Sequence, residues 1–315
     1  LIPRSDRLGQ IEQLTTYVRK LFGKRPRGLW ITSEVWDPML PSLLKTSGME
    51  YTFLSDYQFD AGGIDGGTVH SPCITEDEGK MVIVFPISSR LRAACESASI
   101  EGVQDYLAEI ASETEDRVVS LLCRGEMLTP GEGEDEAGFD EQWLRELFTI
   151  LEKESSWLLT ATPSRYLKKS SPRGRAYFPQ AAFDPNRCKT DGGGVEDASR
   201  SAGVREALLD GYMPGTSFRS LLTQYQESNL MYAKMHYIHI LVNQIRGDKY
   251  RKQLAREELW RGQSNAAYWK GGRSGGIFSN RLRKNVYASL IEAEKVTREK
   301  GIFSPSIITV DFDMD

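Results

Sequence analysis

Gly28-Leu29-Trp30-Ile31-Thr32-Ser33-Glu34-Val35-Trp36-Asp37-Pro38 is a short, β-rich apolar run opened by a glycine and closed by a proline. It predicts a strand over 29–36. Side chains alternate between the two faces of a strand, so Trp30, Thr32, Glu34 and Trp36 share one face. Two indoles beside an acid at a strand end suit sugar binding, because aromatic rings stack on the apolar faces of pyranoses. The plainer alternative is a buried strand whose tryptophans belong to the core.

Outward from this strand, a helix is expected over 6–22, where Leu8, Ile11, Leu14, Val18 and Leu21 recur at helical spacing. A short helix near 39–47 is entered through Pro38. Strands are read at 51–54 and 80–85, helices at 104–111 and 143–153, and a β-type run at 118–122. This alternation argues for a parallel α/β architecture. The glycine-rich stretch 61–67 has no following helix and no Gly-Lys-Thr ending, so it is not read as a phosphate cradle. Glu132-Gly133-Glu134-Asp135-Glu136 reads as a solvated loop without calcium-loop spacing. After about residue 215 the pattern changes. Met231, Met235, Ile238, Val242 and Ile245 recur at bundle spacing, as do Leu282, Val286 and Leu290, with a charged helix over 249–260 between them. The methionine stripe reads as core packing.

Hydrophobic content of 40% and charged content of 27% are those of a globular protein, and a net charge of −4 offers nucleic acid or anionic membrane no general attraction. Cys73, Cys95, Cys123 and Cys188 are scattered without Cys-x-x-Cys spacing, which reads as free thiols in a reducing compartment, the cytoplasm. No run approaches the roughly 18 apolar residues of a membrane span, and no signal-like start is read. His236 and His239 lack a third ligand at metalloprotease spacing, so neither a metal nor another cofactor is expected. No Gly-x-Ser-x-Gly elbow or dinucleotide glycine fingerprint is present.

The opening run resembles the nucleophile region of glycoside hydrolase family 57, above all its 4-α-glucanotransferases, which reads Trp-Leu-Thr-Glu-Arg-Val-Trp-Glu-Pro. Five further stretches resemble family motifs in the same order. Ser55-Asp56-Tyr57-Gln58-Phe59 is similar to Asp-Asp-Tyr-His-Phe, and Val84-Phe85-Pro86-Ile87-Ser88-Ser89-Arg90-Leu91-Arg92 to Val-Phe-Pro-Ile-Asp-x-x-Leu-Arg. Trp143-Leu144-Arg145-Glu146-Leu147-Phe148 is similar to Trp-Leu-Arg-Glu-Phe-Phe, and Glu227-Ser228-Asn229-Leu230-Met231 to Glu-Ser-Asn-Phe-Met. Gln263-Ser264-Asn265-Ala266-Ala267-Tyr268-Trp269-Lys270-Gly271 is similar to Gln-x-Asn-Asp-Ala-Tyr-Trp-His-Gly.

The resemblance implies part of a seven-stranded β/α barrel over 1–214, a three-helix bundle over 215–302, and the start of a C-terminal β-sandwich or linker at 303–315. It implies an α-glucan or other carbohydrate as ligand. It also implies an unpaired barrel edge, which either a protein partner or a second copy covers or the sheet accommodates by staying open and rearranging locally. Retaining glycosidases use two carboxyls about 5–5.5 Å apart, one as nucleophile and one as acid/base. Ser33 falls at the family's nucleophile, and Cys123 and Arg124 fall where its Asp-Asp-Gly-Glu motif carries the acid/base aspartates. Glu34 and Glu126 are the carboxylates that remain in the two motifs. A one-residue strand slip or a bulge would be needed to bring Glu34 into register. Catalysis is therefore expected to be lost or severely impaired. Trp30, Trp36, Tyr57 and Trp269 would form aromatic platforms, with Asp56 and Asn265 as polar contacts. The two other readings are an active α-glucan enzyme using Glu34 or Glu126, and a structural or regulatory protein.

Overall fold

Residues 1–25 fold with the C-terminal helices and not with the sheet. In a computed structural model, Leu1–Arg25 and Thr216–Asp315 form one compact unit, and Pro26–Phe183 is the body of the other. The structure describes residues 2–31, 35–65, 69–96, 100–113, 117–121, 141–183, 212–214, 218–268 and 276–299. Helix α1 (Arg4–Phe22) closes on Gly23, whose φ of 72° and N–H bond to the Arg19 carbonyl make a left-handed C-cap. The apolar stripe read along this helix is not its buried side. Leu14 and Leu21 are 62% and 57% exposed, whereas Asp6 and Thr15 are buried. A polar junction does the docking. Asp6 Oδ2 accepts from Gln263 Nε2 at 2.6 Å and from His239 Nδ1 at 2.7 Å, and Gln10 donates to Gln263 Oε1 at 2.7 Å. This polar contact, with Trp260 against Gly9, joins residues 1–25 to the helical unit, whereas the sequence reading grouped them with the barrel portion.

The second unit is built on a four-stranded sheet of order β1-β2-β4-β3: β1 (Gly28–Trp30), β2 (Tyr51–Ser55), β3 (Cys73–Asp77) and β4 (Lys80–Ile87). Strands β1, β2 and β4 are parallel, with Trp30 opposite Phe53 and Ser55 opposite Ile87. Helix α2 (Leu40–Thr46), with Pro41 in its first turn, links β1 to β2 and packs on β4 and β3. Helix α3 (Asp56–Ala61) follows β2 directly. Strand β3 folds back antiparallel on the first half of β4, through a turn in which Glu78 and Gly79 have φ of 52° and 72°. The second half of β4 instead meets the 117–121 segment: Ile87 bridges Ser120 in parallel, and Ser88 N–H donates to the Ser120 carbonyl at 3.0 Å. The sheet side of the expected α/β class is therefore present, with β3 as an addition. Three of the five β3 residues are polar, which hid it from a periodicity reading.

Helices α4 (Ser89–Glu96), α5 (Ile100–Glu113) and α6 (Glu141–Lys153) share one apolar cluster of Leu91, Cys95, Val103, Tyr106, Ile110 and Trp143. A short helix α7 (Pro163–Tyr166) and the antiparallel pair β5 (Ala181–Phe183) and β6 (Tyr212–Pro214) complete this unit's described elements. In the helical unit, α8 (Phe218–Leu222) precedes three long helices, α9 (Gln226–Gln244), α10 (Lys249–Gly262) and α11 (Asn280–Arg298). Met231, Met235, Ile238 and Val242 are buried, so the methionine stripe is core. Helices α10 and α11 approach closely at Gly262, where a Cβ would come within 2.4 Å of Leu290 Cδ2. Burial alone would raise the Glu294 carboxyl, but ion pairs with Lys234 and Arg298 hold it below its ordinary range.

Candidate functional site

Ligands of parallel α/β sheets sit beyond the carboxyl ends of the strands, where loops and helix N-termini converge. Here those ends are Trp30, Ser55 and Ile87, with Ser120 alongside. Ser55-Asp56-Tyr57-Gln58 makes the turn from β2 into α3. Gln58 Oε1 accepts from Ser55 N–H at 3.1 Å, the return half of a capping box. Ser88 caps α4 through the forward bond, its Oγ accepting from Leu91 N–H at 3.0 Å.

Asp56 joins these two helix starts. Its Oδ1 accepts from Tyr57 N–H at 2.9 Å, and its Oδ2 accepts from Ser89 N–H at 2.9 Å and Ser89 Oγ at 2.7 Å. With 5% of its surface exposed and three donors upon it, the carboxylate is a clamp between α3 and α4. The S-x-x-Q signature at 55–58 and the Ser88-Ser89 pair were the signals for both helix starts, which periodicity missed because each apolar segment is short.

Beside the clamp lies a buried polar chain. Ser88 Oγ and Tyr106 Oη are 2.8 Å apart, Tyr106 Oη is 3.5 Å from His70 Nε2, and Arg117 Nη1 is 3.3 Å from His70 Nδ1. Burial pushes the Tyr106 phenol above its ordinary value; Asp56 adds to this, while the Ser88 bond and Arg90 oppose it. Tyr106 is therefore a protonated donor at neutral pH. Arg90 lies 4.6 Å over the Tyr106 ring and pairs with Glu109 at 2.8 Å. None of His70, Tyr106 and Arg117 was singled out in the sequence, because they come from three separate segments.

The structure gathers part of the expected set. Asp56 and Tyr57 stand at the strand ends, but the Tyr57 ring is fully buried and Trp36 is 1% exposed. Trp36 meets Phe178 edge-on at 5.6 Å and donates from Nε1 to the Phe178 carbonyl at 3.2 Å. These two rings are core rings, which is the plainer alternative for Trp36, and neither has a face open for stacking. Trp30 is only half-buried, and its Nε1 has no hydrogen-bond acceptor among the described residues. Asn265 is exposed in a 3-10 turn of the helical unit. Ser33, Glu34, Cys123, Arg124, Glu126 and Trp269 lie outside the described residues.

The described fold thus combines an α/β sheet with polar groups gathered at its strand ends and a methionine-cored helical unit. Residues 1–179 match the model for glycosyl hydrolase family 57, and residues 216–297 match the middle domain of alpha-amylase/4-alpha-glucanotransferase. The chain belongs to glycosyl hydrolase family 57. It is 31% identical to the 4-alpha-glucanotransferase of Thermococcus litoralis over 99% of its own length and 46% of that relative's. To alpha-amylase 1 of Dictyoglomus thermophilum it is 31% identical, over 100% of this chain and 46% of that one. The chain thus spans about half the length of these relatives. The crystal structure of the Thermococcus litoralis 4-alpha-glucanotransferase superposes with a TM-score of 0.80 at 29% identity, covering 100% of this chain and 48% of that one. The alpha-amylase AmyC of Thermotoga maritima, at 13% identity and a TM-score of 0.55, shares the fold. Among the described residues no helix is long and apolar enough to cross a membrane.

Proposed function

We propose that this chain is an α-glucan-binding member of family 57 in which retaining glycosyl transfer is lost or severely reduced. The observation that carries the reading is the paired substitution in the sequence, Ser33 at the family's nucleophile and Cys123-Arg124 at its acid/base aspartates. A serine alkoxide is too poor a leaving group to replace the carboxylate of a glycosyl ester. Arginine holds its proton at neutral pH and cannot act as general acid. The engagement of Asp56 by three donors supports the same reading, since a carboxylate committed to two helix starts is not available as a replacement catalyst. The half-buried Trp30 at the end of β1 is the ring on which a sugar would stack. The relatives' names, 4-alpha-glucanotransferase and alpha-amylase, support α-glucans as the ligand class. Cys73 and Cys95 are buried free thiols, in keeping with the reducing cytoplasm as the setting.

The relatives' enzyme names favour a second reading, turnover through Glu34 and Glu126. Incubation with maltooligosaccharides, with Glu34→Gln and Glu126→Gln as controls, separates the two. No product above background is expected. Turnover that either substitution abolishes overturns the loss of catalysis. Calorimetry with long α-glucans tests binding, with heat expected from the native chain and a loss of at least about tenfold in affinity for Trp30→Ala. Absence of heat from the native chain sinks the binding reading.

A further inference from the structure

We propose that the surface formed by α7, the turn after it and the segment 173–176 beside β3 docks a short acidic peptide segment of a partner protein. From Ser155 to Phe183 the sequence holds no aspartate or glutamate, yet Arg165, Lys168, Lys169, Arg173 and Arg175 fall within it. All five are exposed, and among the described residues none of their side chains has a hydrogen-bond or ion-pair partner. Taking these five cations from a net charge of −4 leaves the rest of the chain more than twice as negative. The patch therefore opposes the charge of the molecule that bears it.

Local structure brings the cations together and fixes the backbone beneath them. Thr162 caps α7, its Oγ1 accepting from Arg165 N–H at 3.3 Å. The turn continues past α7: Lys168 N–H donates to the Arg165 carbonyl at 3.3 Å, and Lys169 N–H to the Tyr166 carbonyl at 2.9 Å. Residues three and four apart on a helical turn are neighbours, about 5–6 Å between Cβ atoms, so Lys168 and Lys169 both stand beside Arg165. Like charges at that spacing repel, and no carboxylate within the stretch relieves them. The Tyr166 ring, 6.0 Å from that of Phe85, ties the turn to β4. Arg173 follows Lys169 at no more than roughly 14 Å along the chain, and there the backbone is held to the start of β3. Arg173 N–H donates to the Pro72 carbonyl at 2.8 Å, Ile74 N–H to the Gly174 carbonyl at 3.1 Å, and Ala176 N–H to the Ile74 carbonyl at 2.9 Å. Ala176 is buried while Arg173 and Arg175 face water. Glu76 of β3, which meets this segment at Tyr177, is already engaged: its Oε1 accepts from Tyr177 Oη at 3.2 Å and its Oε2 from Gly79 N–H at 2.9 Å.

Cations on separate turns suit carboxylates borne on successive side chains rather than one small anion. A backbone already held at both ends has little left to order on binding. A long polyanion such as nucleic acid would run past the patch and meet the acidic remainder of the chain. A few carboxylates instead stay within the Debye length of about 10 Å from the cations. The partner these charges fit is a short run of glutamates or aspartates.

Fluorescein-labelled hexaglutamate, followed by anisotropy on the whole chain, tests the surface. Saturable binding is expected at about 50 mM salt, weakened at least about tenfold at about 500 mM. Lys168→Glu with Lys169→Glu is expected to lower affinity at least about tenfold, and Arg173→Gln with Arg175→Gln about fivefold. Lys20→Glu with Lys24→Glu makes an equal change of charge at exposed positions on and beside α1, and is expected to stay within about twofold of native. An equal loss in this control pair overturns the proposal, because the peptide then responds to net charge alone. A second measurement needs no variant. On the native chain, hexaglutamate is expected to shield Lys168 and Lys169 from acetylation by acetic anhydride while Lys20 and Lys24 stay reactive. Unchanged labelling of Lys168 and Lys169 under saturating peptide overturns the proposal, as does the absence of binding at low salt. Tighter binding of a hexanucleotide or of inorganic phosphate than of hexaglutamate overturns the acidic peptide as partner.

Discussion

Replacing Asp56 by alanine separates a structural clamp from a sugar contact. The carboxylate receives three donors, at 2.9, 2.9 and 2.7 Å, and two of them belong to Ser89, which is 4% exposed. Hydrogen bonds to a buried charged group contribute about 1.5–3 kcal/mol each, and a buried donor left without an acceptor costs about 1–3 kcal/mol. These terms overlap, so Asp56→Ala is expected to destabilise the chain by about 3–5 kcal/mol. Asp56→Asn, which keeps one acceptor but turns an amide towards a donor, is expected to destabilise by about 2 kcal/mol. Urea melts followed by circular dichroism and fluorescence, at unchanged slope, read both values. Ser89→Ala removes only the 2.7 Å bond. The cycle of Asp56→Ala with Ser89→Ala is expected to show a coupling of about 1.5 kcal/mol. A stability within about 1 kcal/mol of native for Asp56→Ala, with glucan affinity lost, would refute the clamp and return Asp56 to the role of sugar contact.

Three further outcomes follow from single features. Glu78 holds a left-handed φ of 52° in the β3–β4 turn, so Glu78→Asn, giving the Asn-Gly pair favoured there, is expected to stabilise by about 0.5–1 kcal/mol in urea melts. Gly262→Ala drives a Cβ to 2.4 Å from Leu290 Cδ2 between α10 and α11, and a loss of about 1–3 kcal/mol is expected, smaller than additive when combined with Leu290→Ala. Desolvation by burial, helped by nearby positive charge, lowers the His236 imidazole to about 4. The native state therefore binds fewer protons than the unfolded chain between about pH 6.5 and 4. Stability from this group is complete above that window and falls on acidification by about 1–2 kcal/mol after allowance for its partial exposure. His236→Gln is expected to flatten that part of the stability profile.

Much of the backbone order was legible because periodicity reports burial. The strands at 51–54 and 80–85 and the helices at 104–111, 143–153 and 249–260 all lie within the elements found. Among the elements that escaped, α3, α4 and β3 are short or polar and are set by caps and a hairpin turn. The failure at α1 has a different cause. An apolar stripe states that a helix has a greasy face, but the partner of α1 is chosen by Asp6, Gln10 and Gln263, and such a polar match has no period. At the strand ends, the motif letters marked Asp56 and Tyr57, yet they say nothing about how many donors surround a carboxylate. His70, Tyr106 and Arg117 come from segments 36 and 47 residues apart. Only three-dimensional convergence reveals them.

The docking of α1 has a consequence for how the molecule comes into being. Asp6 and His239 are 233 residues apart, and Gln263 is 257 residues from Asp6. The helical unit is therefore interrupted by the sheet unit and cannot close until synthesis has passed Gln263. At about 5–20 residues per second on a ribosome, α1 waits on the order of ten to fifty seconds for its partners. A lone helix of 19 residues is marginal in water, so α1 settles after the sheet unit that follows it in the chain. The sheet unit can fold during that interval with an unfinished tail ahead of it. The same long closure makes α1 the segment that two copies can exchange, one chain's Asp6 reaching the other's His239 and Gln263 when both emerge at high concentration.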